Sequence, residues 1–140
     1  ANLCSQTAQV VVAQPDPLQA TTLVTDVSCN GFADGTIALN ATGGNGSYQY
    51  SLNGGVNTQN TPLFSQLTAG SYSVWISDIN GCTATIPATI TQPSIINVTA
   101  NITDVTCNGL ANGSINLSPS GGTSPYLFSL NGSTSQVSSQ

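Results

Sequence analysis

Thr25-Asp26-Val27-Ser28-Cys29-Asn30-Gly31 recurs as Thr103-Asp104-Val105-Thr106-Cys107-Asn108-Gly109, 78 residues further along a chain of 140. At the same offset Cys4 falls on Cys82, Gln14-Pro15 on Gln92-Pro93, and Ser51-Leu52-Asn53-Gly54 on Ser129-Leu130-Asn131-Gly132. Residues 1–62 overlay residues 79–140 without a gap, and 23 of the 62 positions are identical. A gapless match of that length is the mark of tandem structural units.

Within one unit the apolar residues alternate with a period of two, the pattern of strands buried on one face. Ile37, Leu39 and Ala41 form one inward set; Tyr48, Tyr50 and Leu52, then Tyr72, Val74 and Ile76, then Ala84, Ile86, Ala88 and Ile90 form three more. Between them stand Asp34-Gly35, Gly43-Gly44-Asn45-Gly46, Asn53-Gly54-Gly55, Ala69-Gly70 and Asn80-Gly81, residues that accept the positive φ of tight turns. No stretch carries a helical stripe. About seven short strands per unit predict an all-β chain of tandem immunoglobulin-like β-sandwich domains, in which Leu67 to Tyr72 reads as a tyrosine corner.

Composition narrows function sharply. The chain has no Lys, Arg, His, Glu or Met, and its five aspartates give a net charge of −5. Nucleic acids and anionic membrane surfaces are bound through Lys and Arg, so neither is an expected partner. Without His there is no Ser-His or Cys-His pair to activate a nucleophile, and no enzyme activity or cofactor is expected. With 39% apolar residues the chain has the means to fold. Asn, Gln, Ser and Thr make up 60 of the 140 residues, a polar surface with little charge repulsion to oppose self-association. No apolar run is long enough for a membrane helix, and membrane insertion is not expected. The basic start of a signal peptide is missing too, which reads as a mature or excised segment.

Four regularly spaced cysteines in a small Thr-rich chain fit an oxidising, extracellular setting. The expected pairing within the complete unit is Cys29 with Cys82, closing a loop of about 50 residues and contributing about 2–4 kcal/mol by restricting the unfolded chain. The competing pairing joins Cys4 to Cys29 and Cys82 to Cys107.

These residues resemble the SprB-type repeat of Bacteroidota surface adhesins and gliding-motility-associated proteins. The resemblance rests on Thr25 to Gly31, Asp34-Gly35-Thr36-Ile37, Gly43-Gly44 with Ser47-Tyr48-Gln49-Tyr50, Leu67 to Tyr72, and Asp78-Ile79-Asn80-Gly81-Cys82-Thr83-Ala84-Thr85. It implies secreted, multi-domain, immunoglobulin-like cell-surface proteins with structural or adhesive roles and no catalytic residues. The second unit departs from the first in having Asn112 where the first has Asp34.

The ends of the chain do not fall on unit edges. Residues 1–14 match the last strand of a unit, residues 15–93 form one complete repeat, and residues 94–140 match only the first part of another. One expectation is donor-strand complementation, in which each copy inserts its N-terminal strand into the incomplete domain of a neighbour, head to tail. Val10 and Val12 would enter that domain and Cys4 would bond Cys107 across copies. Against this expectation, the counterparts of residues 63–78 would still be absent from the completed domain, and a sandwich lacking that central strand is unusual unless the domain is shortened. The other expectation is a window of one long polypeptide of repeats. Both give an extracellular fibre-like array, with self as the partner. The alternative is a glycan-binding module of a secreted multi-domain protein.

Seven Asn-x-Ser/Thr sequons, at Asn40, Asn45, Asn97, Asn101, Asn112, Asn116 and Asn131, are candidate sites for covalent glycan; the plainer reading is that Asn and Ser populate exposed turns. Trp75, opposite in parity to Val74 and Ile76, is expected on the outward face as an assembly contact or, more plainly, as a scattered surface aromatic. No metal is expected. Asp26 and Asp104 are weak calcium candidates beside the inter-unit junction, against the plainer role of holding strand-end amides.

Overall fold

The computed structural model of the protein describes Cys4, residues 6–129 and the backbone of residues 136–138. It is all-β, with no helix among the described residues. Among the described residues ten strands follow one another as β1 (Gln19–Thr25), β2 (Gly35–Thr42), β3 (Gln49–Ser51), β4 (Leu63–Leu67), β5 (Gly70–Ser77), β6 (Thr83–Ile90), β7 (Asn97–Thr103), β8 (Ser114–Ser120), β9 (Tyr126–Phe128) and β10 (Gln136–Ser138). They form small sheets in the orders β1-β2-β4, β3-β5-β6, β7-β8 and β10-β9. β3 pairs antiparallel with β5, placing Tyr50 opposite Ile76 and Ser51 opposite Trp75. β7 and β8 pair antiparallel from Asn97↔Ser120 to Thr103↔Ser114. Pro87 has no N–H to give a ladder, and β6 lies at a sheet edge, where that costs least.

By contacts the chain divides into two compact units. The first comprises Ala1–Leu23, Ala38–Pro62 and Ser73–Pro87; its buried apolar residues are Leu39, Tyr50, Val74 and Ile76. The second comprises Val24–Ile37, Leu63–Tyr72 and Ala88–Gln140, and buries Val27, Ile37, Ala88 and Ile90. All of these except Val27 come from the inward sets of the period-two pattern. Each such side chain contributes about 1.5–3 kcal/mol on burial. Gly35 is the close-packing point of the second unit, since a Cβ there would lie 2.9 Å from Ile90 Cγ2 and from the Leu67 carbonyl oxygen. Tyr72 Oη donates to the Thr68 carbonyl at 2.8 Å, the backward bond a tyrosine corner makes.

The N-terminal segment departs from expectation. Residues 6–18 carry no strand, and Val10, Val11 and Val12 are 82%, 89% and 91% exposed. An alternating apolar segment becomes a strand only where an edge is available to pair with it.

Candidate functional site

The turn between β2 and β3 is fixed by two glycines at positive φ, Gly43 (75°) and Gly44 (60°). Gly44 N donates to the Asp16 carbonyl at 2.8 Å, and a Cβ on Gly43 would collide with the Pro17 carbonyl. The linker from Gln14 to Pro17 therefore lies against bare backbone, an approach only glycine permits. Beside it Asp78 ties the β5–β6 turn together. Its Oδ1 accepts from Asn80 N (3.0 Å) and Cys82 N (2.8 Å), and its Oδ2 accepts from Asn45 N (2.9 Å). Burial opposes its ionisation, but the amides of Cys82, Asn45 and Asn80 outweigh that and hold the carboxyl below its ordinary value. The Asp78 charge, and after it burial, pushes the neighbouring Cys82 thiol upward.

Every part of the linker grip recurs 78 residues on. Gly122 N donates to the Ser94 carbonyl at 2.8 Å, a Cβ on Gly121 would collide with the Ile95 carbonyl, and Tyr126 Oη donates to Gly121 O as Tyr48 Oη does to Gly43 O. Here the linker is also held from its other side. Asn30 Nδ2 donates to the Pro93 carbonyl, Gly31 N to Gln92 Oε1, both at 3.0 Å, and Asp26 Oδ1 accepts from Thr91 N at 2.7 Å. The Thr91 hydrogen bond lowers the Asp26 pKa. Asp26 thus has the strand-end role of the plainer reading, and no metal-binding cluster occurs among the described residues. A hollow of about 360 Å³ remains at this junction, lined by Cys29, Asn30, Pro93, Ile95, Ile96 and Gly122 among others.

The structure does not bring Cys29 and Cys82 together. Cys82 immediately precedes β6, whereas the turn bearing Cys29 is bonded to Gln92 and Pro93, beyond the last residue of β6. Eight residues of strand span about 26 Å, and a disulfide needs Cα atoms within about 7 Å. The expected bridge within one unit is therefore corrected: all four thiols, Cys4, Cys29, Cys82 and Cys107, are free and exposed. Period and spacing located the cysteines but not the strand end at which each sits.

Asp34 and Asn112 explain each other. Asp34 Oδ1 accepts from Ser28 N at 3.0 Å, and Asn112 Oδ1 accepts from Thr106 N at 3.1 Å. The turn needs a side-chain oxygen rather than a charge, which is why the amide replaces the acid. In sequence this pair reads only as a departure of the second unit from the first.

Equivalent residues of the two repeats differ most in burial. Val27 is 3% exposed and its counterpart Val105 51%; Ile37 is 0% exposed and Ile115 55%. Every residue of β7 is exposed, including Val98 and Ile102. Val98, Ile102 and Ile115 on β7 and β8 thus present exposed apolar side chains, chemically matched to the exposed Val10, Val11 and Val12.

Among the sequons, Asn40, Asn45, Asn97, Asn101, Asn112 and Asn116 are exposed, and Asn131 lies outside the described residues. Asn101 and Asn116 face each other across β7 and β8. Asn112 Nδ2, the atom a glycan would occupy, donates to Thr106 Oγ1 at 2.8 Å. Trp75 is not a lone outward ring: it is half-buried, and a Cβ on Gly55 would lie 3.1 Å from its Cη2. A second hollow, of about 650 Å³, is lined by Ser47, Tyr48, Gln49, Tyr50, Asn60 and Asp78 among others.

The chain matches the family model described as SprB repeat over residues 21–57 and 99–135. These two segments cover just over half of the chain and stand 78 residues apart, at the offset of the internal match. No curated protein and no solved structure matches it.

Proposed function

Because the chain belongs to the SprB-repeat family, we propose that this surface-associated repeat protein is the structural subunit of an extracellular bacterial filament or adhesin. Its 78-residue repeats act as immunoglobulin-like domains joined head to tail. The observation that carries this reading is the contrast between Ile37, fully buried, and Ile115, 55% exposed at the same repeat position. A sheet of that kind is stable in water only when something covers it. The N-terminal segment of a neighbouring copy is the cover by donor-strand complementation, with Val10 and Val12 entering the exposed apolar face as β6 residues enter the first repeat. Localisation at the cell surface, an uncharged polar exterior and covalent glycan on the exposed sequons belong to the same reading, as does the lack of catalytic machinery.

The test is assembly of the 140-residue chain followed by light scattering and negative-stain microscopy. Filaments are expected from the wild type, and a Val10→Asp, Val12→Asp double variant should stay monomeric with the melting transition of the first repeat unchanged. A wild type that remains monomeric at high concentration, or a double variant that assembles equally well, overturns the reading.

One observation favours a second reading, a glycan-binding module. The hollow beside Tyr48, Gln49 and Asn60 combines an aromatic ring with amide groups, the chemistry that holds a sugar. Saturable binding of a soluble oligosaccharide, abolished by Tyr48→Ala and Asn60→Ala, would favour it over the filament.

A further inference from the structure

We propose that Asp104, Asn108 and Gly109 form a socket for Ala13-Gln14-Pro15 of the next copy, and that this docking pairs Cys107 with Cys82, and Cys29 with Cys4, across copies. The proposal rests on the head-to-tail reading above and specifies its chemistry.

The socket is visible once within the chain. Asp26, Asn30 and Gly31 hold Thr91, Gln92 and Pro93 through three hydrogen bonds of 2.7–3.0 Å. Seventy-eight residues on, Asp104, Asn108 and Gly109 repeat that trio, and the turn they flank is closed in the same way: Leu110 N donates to the Cys107 carbonyl as Phe32 N does to the Cys29 carbonyl. Seventy-eight residues earlier, Ala13, Gln14 and Pro15 repeat the held segment. The side-chain acceptor is Gln in both copies, and Pro again follows it. Ala13 offers a backbone N–H to Asp104 just as Thr91 does to Asp26. Docking by these contacts also fixes the direction of the donated strand.

The thiols follow from that direction. Cys29 lines the junction hollow together with Gly122. Gly44, the counterpart of Gly122, lies against Asp78, since a Cβ there would stand 2.7 Å from Asp78 Oδ2, and the other oxygen of that carboxylate accepts from Cys82 N. A thiol of the Cys29 type and one of the Cys82 type therefore meet at every junction, the first from the preceding repeat and the second from the following one. At the junction between copies these are Cys107 and Cys82 of the next copy. Within the completed domain the donated Cys4 takes the Cys82 position and meets Cys29. Cys4 and Cys107 stand at opposite ends of that domain, so this pairing replaces the Cys4 to Cys107 bond expected from spacing. Each bond forms by exchange: two thiols and one disulfide of an oxidoreductase or small-molecule disulfide give the protein disulfide and two reduced thiols.

The experiment assembles the 140-residue chain under a thiol–disulfide buffer, blocks remaining thiols, and digests without reduction. Trypsin has no site in a chain lacking Lys and Arg, so chymotrypsin is used. Expected are linked peptides joining Cys82 with Cys107 and Cys4 with Cys29, together with a ladder of subunit multiples on a non-reducing gel. An Asp104→Ala, Asn108→Ala variant should lose at least tenfold in the amount of ladder while the first repeat melts unchanged. Filaments whose linked peptides join Cys4 with Cys107 or Cys29 with Cys82, or whose thiols all stay free, overturn the socket and leave head-to-tail assembly standing. The linked pairs found in a monomeric band overturn it as well, and the absence of any filament overturns both.

Discussion

Ile37 and Ile115 share residue type and repeat position, yet one is fully buried and the other 55% exposed. Ile37→Ala should lower the stability of the first repeat by about 2–5 kcal/mol through lost burial and a cavity. Ile115→Ala in the monomer should change it by less than about 0.5 kcal/mol but should weaken assembly; thermal melts and scattering on the two variants check both halves of the contrast. Asp34 invites a second substitution, because Asn112 already does its work one repeat later. Asp34→Asn should lower the melting temperature only slightly, by what the ionised carboxylate adds to the Ser28 N–H bond, and Asp34→Ala, which removes the acceptor for Ser28 N, should lower it further. The residue types of these turns were legible in sequence. Their burial was not, since it depends on strands distant in the chain.

At the scale of elements, the β5–β6 turn depends on one carboxylate. Asp78 accepts from three backbone amides, and it, Asp26 and Asp34 all have pKa values below the ordinary 3.8. A carboxyl whose pKa falls on folding contributes stability above its unfolded value and loses that contribution as pH drops through the folded value. The chain has no His, the side chain whose ordinary pKa lies between about pH 5 and about pH 7. The melting temperature should therefore be flat over that range and should fall as the pH goes below the ordinary carboxylate value; circular dichroism melts across an acid series measure this. Gly43 and Gly121 are equivalent points of close approach to a linker carbonyl. Gly121→Ala should loosen the grip on the Ser94-Ile95 linker, because both the positive φ and the collision with the Ile95 carbonyl oppose a side chain. Faster amide exchange at Gly122, whose N–H the linker occupies, is the readout.

At the scale of the whole molecule, an array built this way meets solvent through Asn, Gln, Ser and Thr rather than through charge. Six of the sequon asparagines are exposed, and glycan on them would keep such a surface from sticking to its neighbours. An intact mass of native material above the sequence mass by hexose-sized steps is the expected result, with Asn112 the least occupied of the six because its Nδ2 already bonds Thr106. A mass equal to that of the bare chain removes glycan from the reading. Extraction should then depend on reductant, since the sheet edges carry no Lys to guard them and the exposed thiols stand free to link copies.

The sequence by itself determined that β2, β3, β5 and β6 are strands, which face of each is apolar, where the chain turns and how the repeat is registered. Those properties are set within a few residues, by the period of two and by glycine at positive φ, and they are intact even in β7 and β8, none of whose residues is buried. Only the tertiary structure decided that Val27 is buried and Val105 is not, that Trp75 lies over Gly55 rather than standing free, and that Cys29 and Cys82 occupy opposite ends of β6. Each of these depends on which distant strand lies alongside, and a local pattern holds no record of that.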